Sequence, residues 1–141
     1  MNLLSPLPTP KGQRFRQQLC ELLKSRLNDA TTSLDDLCNQ LAVSRAQLNR
    51  KARACTGMTA MQLLKTYRLE HALQRLVQTE DSIAEIAWTC GFEDPNYFCR
   101  VFKDAYGMSP RAYRDQVWQH AMMADIADDH TTGASGSARR A

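Results

Sequence analysis

SIAEIAWTCGFEDPNYFCRVFKDAYG, Ser82–Gly107, is the stretch whose pattern decides the fold. It opens on Ser82 with Glu85 three residues on, the spacing of a capping box. In that motif the hydroxyl accepts from the N3 amide, and the N3 side chain accepts from the cap's own N–H. Ile83, Ile86, Ala87 and Cys90 then fall on one face of a short helix, 83–90. Gly91-Phe92 interrupts the pattern and Asp94-Pro95 restarts it, since Pro suits a first helical position whose amide has no intrahelical partner. Phe98, Phe102 and Tyr106 recur every four residues, with Val101 and Ala105 beside them, which predicts a helix over 95–106 with this stripe in the core. A short helix, a turn plugged by an apolar residue and a longer helix make up the helix-turn-helix plan, whose second helix enters a DNA major groove.

The same plan occurs upstream. Ser33-Leu-Asp-Asp36 caps a helix over 34–41, Ala42-Val43 forms the turn, and Ser44-Arg-Ala-Gln47 caps a helix over 45–55. One such pattern is weak, because any pair of helices joined by a turn resembles it. Two, at a spacing of about fifty residues, form an internal repeat. Between them Thr59-Ala-Met-Gln62 caps a helix over 60–78, roughly 28 Å long at 1.5 Å per residue. Successive major-groove faces on one side of B-DNA lie about 34 Å apart, so a rod of that length suits two readers one turn apart. Phe15, Leu19, Leu22, Leu23 and Leu27 form one stripe and predict a first helix over Gln13–Asn28. Ser109-Pro110 starts a last one over 110–118.

The expected fold is therefore all-α, about seven helices in two helix-turn-helix subdomains joined by a long linker helix. Residues 1–12 read as a flexible leader or linker, 13–58 as the first subdomain and 59–78 as the linker helix. Residues 79–118 read as the second subdomain, and 119–141 as a mostly disordered tail. Composition agrees with this layout. From Gln13 to Asp94 there is no Pro, and only Gly57 and Gly91 among glycines, which argues against a β-sandwich or a Gly-rich nucleotide-binding unit. No apolar run approaches the roughly 18 residues that would suggest a membrane span, and Met1–Pro10 lacks the basic flank and apolar stretch of a signal peptide. The five Cys include no C-x-x-C pair, and His71, His120 and His130 stand at no ligand spacing to them. They read as reduced thiols of a cytoplasmic protein, with no metal and no cofactor. No catalytic triad or phosphate loop is visible, so the chain reads as a non-enzyme. The net charge is only +3, yet Ser44–Cys55 carries Arg45, Arg50, Lys51 and Arg53 and no acid, which suits a polyanion. On these patterns alone a helical protein-interaction module without DNA binding stays open beside a DNA reader.

Gly91-Phe-Glu-Asp-Pro-Asn-Tyr-Phe-Cys-Arg-Val-Phe-Lys-Asp-Ala-Tyr-Gly-Met-Ser-Pro-Arg-Ala-Tyr-Arg114 closely resembles the signature of AraC/XylS-type transcription regulators. Val43-Ser-Arg-Ala-Gln-Leu-Asn-Arg-Lys51, Thr56-Gly-Met-Thr59 and the connector Tyr67-Arg-Leu-Glu-His-Ala-Leu-Gln-Arg-Leu76 fit as well, so the likeness covers about residues 14–116. Ala60 departs from the family's usual Pro, Asn96 from its usual Ser, and Cys99 from its small polar residue. The resemblance implies a sequence-specific regulator that reads two adjacent major-groove half-sites of double-stranded DNA. Base contacts would come from Arg45, Ala46, Gln47, Asn49 and Arg50 in one half, and from Asn96, Tyr97, Cys99 and Arg100 in the other. Arg gives a bidentate pair to guanine, and an Ala methyl meets thymine. Ser44, Lys51, Arg53, Ser82 and Lys103 would meet phosphates. It further implies RNA polymerase as a partner, no membrane, and a sensor or receiver domain absent from this sequence. The chain reads either as the output domain of a larger regulator or as a short stand-alone protein.

Overall fold

The structure, a computed structural model, describes residues 10–132, and the side chains of residues 12–124. Among the described residues there are seven helices and no strand. They are α1 (Pro10–Ser25), α2 (Leu34–Leu41), α3 (Arg45–Thr56), α4 (Ala60–Gln78), α5 (Ile83–Thr89), α6 (Pro95–Tyr106) and α7 (Pro110–Thr132). All four capping boxes form in both directions, at Ser33, Ser44, Thr59 and Ser82. The Asp94 carboxylate accepts from the Asn96 amide at 2.9 Å, and Ser109 Oγ accepts from the Ala112 amide at 3.1 Å.

Two cores divide these helices. The first gathers Leu19 and Leu23 of α1, Leu37 of α2, Leu48 and Ala52 of α3, and Ala60, Leu63 and Leu64 of α4. The second takes Leu69, Ala72 and Leu76 from the rest of α4, Ile86 and Ala87 from α5, and Phe98, Val101 and Phe102 from α6. The aromatic stripe packs as its spacing predicts. Phe92, Phe98, Phe102 and Tyr106 follow one another at ring separations of 5.0, 5.8 and 4.7 Å, and Tyr113 of α7 closes on Phe102 at 5.9 Å. Ala105 departs from expectation and is exposed, because α6 nears its end there and no element covers it.

The ends of the chain differ from expectation too. α1 starts at Pro10 rather than Gln13, because Pro fits a first turn whose amides have no intrahelical partner. Residues 10–12 therefore belong to α1, and residues 1–9 of the expected leader lie outside the described residues. At its other end α1 stops at Ser25 rather than Asn28: Ser25 Oγ bonds the Leu22 carbonyl and tight turns follow. α7 continues to Thr132, fourteen residues beyond the expected end. In 119–132 Ala, Met and Gln favour helix and no Gly or Pro intervenes before Gly133. The remainder, 133–141, lies outside the described residues.

α7 also secures the end of the connector. Arg114 donates to three carbonyls at the C-terminus of α4 and just past it: Nε to Leu76 at 2.9 Å, Nη2 to Thr79 at 3.1 Å and Nη1 to Asp81 at 2.7 Å. The Trp118 indole N–H adds a bond to the Val77 carbonyl at 3.2 Å, and the Arg114 guanidinium lies 5.1 Å from that ring. The last carbonyls of a helix lack intrahelical donors, and a cation there complements the helix dipole. Arg114→Ala is expected to cost about 2–4 kcal/mol in urea unfolding, as several charge-assisted bonds go at once. Arg114→Lys should restore less than half of the loss, because an ammonium lacks the planar fork that spans three acceptors.

Candidate nucleic-acid interface

α3 and α6 present the same surface twice. Their N-caps Ser44 and Asp94, their C-caps Gly57 and Gly107, and both helix bounds each lie 50 positions apart. At about 100° per residue, the buried Leu48 and Ala52 of α3 leave Ala46, Arg50 and Arg53 on the opposite face, and all three are exposed. In α6 the buried Phe98 and Phe102 leave Asn96, Arg100 and Lys103 in the equivalent places, also exposed. Each helix thus carries one polar or small residue near its start and two cations further along, in one register.

The other expected contact residues stand differently. Asn49 and Cys99, at matching positions, flank the outward faces and are half-buried. Cys99 packs against the second core, and burial pushes its thiol pKa up. Lys51 turns back toward α1, its Nζ 5.1 Å from the centre of the Phe15 ring. Arg45 donates Nε to Asp35 Oδ1 at 2.7 Å across the α2–α3 turn, and this bond holds the Asp35 carboxyl below its usual range. Tyr97 is exposed beside Arg100, whose guanidinium lies 5.4 Å from its ring. The cap amides of Ser44 and Ser82 are already taken, by Gln47 Oε1 at 2.9 Å and by Glu85 Oε1 at 3.0 Å. At Ser82 the acceptor is a carboxylate, which repels a phosphate. Gln47 is exposed, with its side-chain oxygen committed to the cap.

One cation of α4, Lys65, joins this surface without having been expected there. It lines an open cleft of about 440 Å³ together with Phe92, Tyr97 and Arg100; Arg68 borders the same cleft, but its guanidinium is committed to the carbonyls of Leu27 and Asp29. Neither lies in a helix-turn-helix unit, so no pattern confined to those units marks them. Only the packing of the second unit against α4 brings them beside α6. Among the described residues no group of three His, Cys, Asp or Glu side chains is placed to hold a metal ion. No described helix is long and apolar enough to cross a membrane.

Residues 37–116, more than half of the chain, match the family described as helix-turn-helix domain. The HTH-type transcriptional activator RhaR of Salmonella dublin is 37% identical over 108 residues, which make up 77% of this chain and 38% of that protein's length. The chain therefore spans well under half of this relative. Among solved structures, the C-terminal domain of the two-component response regulator YesN from Fusobacterium nucleatum is similar, with a TM-score of 0.69 and 30% identity. That likeness covers 72% of this chain and 98% of the other. The DNA-binding domain of the global transcriptional factor AdpA, solved in complex with a target DNA, is similar with a TM-score of 0.68 and 28% identity over 71% of this chain and 89% of its own.

The Arg45–Asp35 pair yields a test of which cations reach DNA. Both partners are well exposed, so stability should barely change when the pair is broken. Asp35→Ala frees Arg45, and the slope of log affinity against log salt is expected to steepen by about 0.9 on duplex DNA. The same change in an Arg45→Ala background should leave the slope alone. Equal steepening in both backgrounds would assign the effect to general charge.

Proposed function

The chain belongs to the AraC-type helix-turn-helix family of DNA-binding transcription regulators, and from that membership we propose that it binds duplex DNA sequence-specifically by setting α3 and α6 into two adjacent major-groove segments. The observation that carries this reading is the repeated outward face, in which Ala46, Arg50 and Arg53 recur as Asn96, Arg100 and Lys103 at one register. A second reader copied in register on the same chain lets one molecule meet two half-sites without a dimer.

The proposed base contacts centre on Arg50 and Arg100, each suited to a bidentate pair with guanine, and on Asn96, suited to an adenine edge. Ala46 offers a methyl to thymine, and Asn49, Gln47, Tyr97 and Cys99 border the same surfaces. Arg53 and Lys103, one turn further along, suit phosphates. Arg45 joins them once Asp35 releases it. Lys51, Ser44 and Ser82 serve phosphates only by giving up Phe15, Gln47 and Glu85, so they stand behind the outward cations in this scheme.

The likeness to the C-terminal domain of a response regulator, and the short share of RhaR that is matched, support a role as the output module of a larger cytoplasmic regulator carrying a sensor or receiver domain. As RhaR is named a transcriptional activator, a contact with promoter-bound RNA polymerase belongs to the same proposal.

Selection from random duplex DNA tests the reading. A bipartite motif with half-sites about 10–10.5 base pairs apart, centre to centre, is expected. No enrichment, or a single half-site, overturns it. Arg50→Ala and Arg100→Ala should each lose about 1–3 kcal/mol of binding and relax specificity in one half only. Retention of the wild-type motif by both variants would remove these two side chains from base reading.

A further inference from the structure

Three segments distant in sequence converge between the two cores. Arg68 sits in α4 between Leu64, which belongs to the first core, and Leu69, which belongs to the second. Its guanidinium donates Nε to the Leu27 carbonyl at 3.2 Å and Nη2 to the Asp29 carbonyl at 2.7 Å, in the loop that follows α1. Against this same Nε and the Leu27 carbonyl lies Gly91, in the turn that leads to α6. Gly91 has φ +87°, and a β-carbon there would overlap the Leu27 carbonyl oxygen and come within 2.7 Å of Arg68 Nε. Only the bare Cα of glycine lets the backbone of the second unit pass this close to the loop of the first. The matching turn position of the first unit holds Ala42, also left-handed at φ 56°, so the turn alone does not demand glycine. The demand at Gly91 comes also from the neighbouring unit.

We infer that Arg68 is a positioning residue that locks the first unit's loop and the second unit's turn into one body, and so makes the protein selective for the spacing between its half-sites. The inference rests on the two-groove reading above and adds a residue that touches no base in it. Two linked readers gain from each other only when their geometry allows both to engage. Hydrogen bonds to two carbonyls of one loop, made by a planar fork and backed by a steric stop at Gly91, limit rotation between the units. An uncapped flexible joint would tolerate several spacings.

The full 141-residue chain and its Arg68→Ala variant are compared on the selected bipartite site, on sites with one base pair added or removed between halves, and on each half alone. Wild type is expected to lose about tenfold or more on a one-pair change, and Arg68→Ala about threefold or less, with half-site affinity and salt slope unchanged. Residual dipolar couplings of the free proteins should fit one alignment tensor in wild type and require two in the variant. Retention of the wild-type spacing preference by Arg68→Ala overturns the inference. So does a uniform loss on every DNA with a salt slope lower by about one, which would make Arg68 a phosphate contact from the cleft. If Arg68→Ala does not fold, Arg68→Lys decides, since it keeps the charge but not the fork and should lose spacing preference like the Ala variant. A wild type with no bipartite preference overturns the two-groove reading itself. The dipolar couplings then still report whether Arg68 locks the units.

Discussion

The sharing of α4 between two cores is the constraint on which the rest of this molecule depends. Its first turns are buried with α1, α2 and α3, its later turns with α5, α6 and α7, and one unbroken helix backbone joins them. A helix resists bending because each turn is tied to the next, and this one contains no Pro or Gly at which to kink. Its C-terminal carbonyls meet donors from α7, so it ends in a capped state rather than fraying. Where α4 points therefore settles where both longer helices of the repeat point, and Arg68 at its middle is the place where one unit feels the other.

The two outward faces are copies in geometry but not in chemistry. α3 carries its cations among neutral residues, with Arg45 drawn aside by Asp35 and Lys51 drawn aside by Phe15. α6 sets Arg100 beside the ring of Tyr97, with Glu93 and Asp94 at the start of the helix. The first half thus offers a more positive surface and the second a more mixed one, a difference that suits two unlike half-sites. A small total charge conceals this arrangement: acids such as Asp36, Glu85 and Asp94 sit at helix starts, while Arg50, Arg53, Arg100 and Lys103 share one side of each longer helix, with Asp104 one turn past Arg100 on the second.

What could be read along the chain was whatever the chain decides locally. Every capping box seen in the sequence formed, because a hydroxyl and an acceptor three residues apart close on each other with no help from elsewhere. The Phe98–Tyr106 stripe went to the core because a period near four leaves it one face of one helix. The outward registers of Arg50 and Arg100 follow from those same periods by subtraction. Composition agreed as well, since the stretch from 13 to 94, which holds no Pro, runs helix after helix.

Other features were settled by neighbours that sequence spacing does not reveal. Lys51 looked like its basic neighbours until α1 placed Phe15 beside it, and Cys99 looked outward until the second core drew it in. Arg68 carried no local signal for its task, since its acceptors lie about forty positions earlier and its steric partner Gly91 over twenty later. The sequence by itself determined the helices, their caps, the repeat and the faces of α3 and α6, because each depends on residues within a turn or two of one another. Only the tertiary structure decided which cations remain free for a partner, and how one unit is held against the other. Those outcomes depend on hydrogen bonds, ring contacts and close backbone approaches between segments whose meeting no local periodicity encodes.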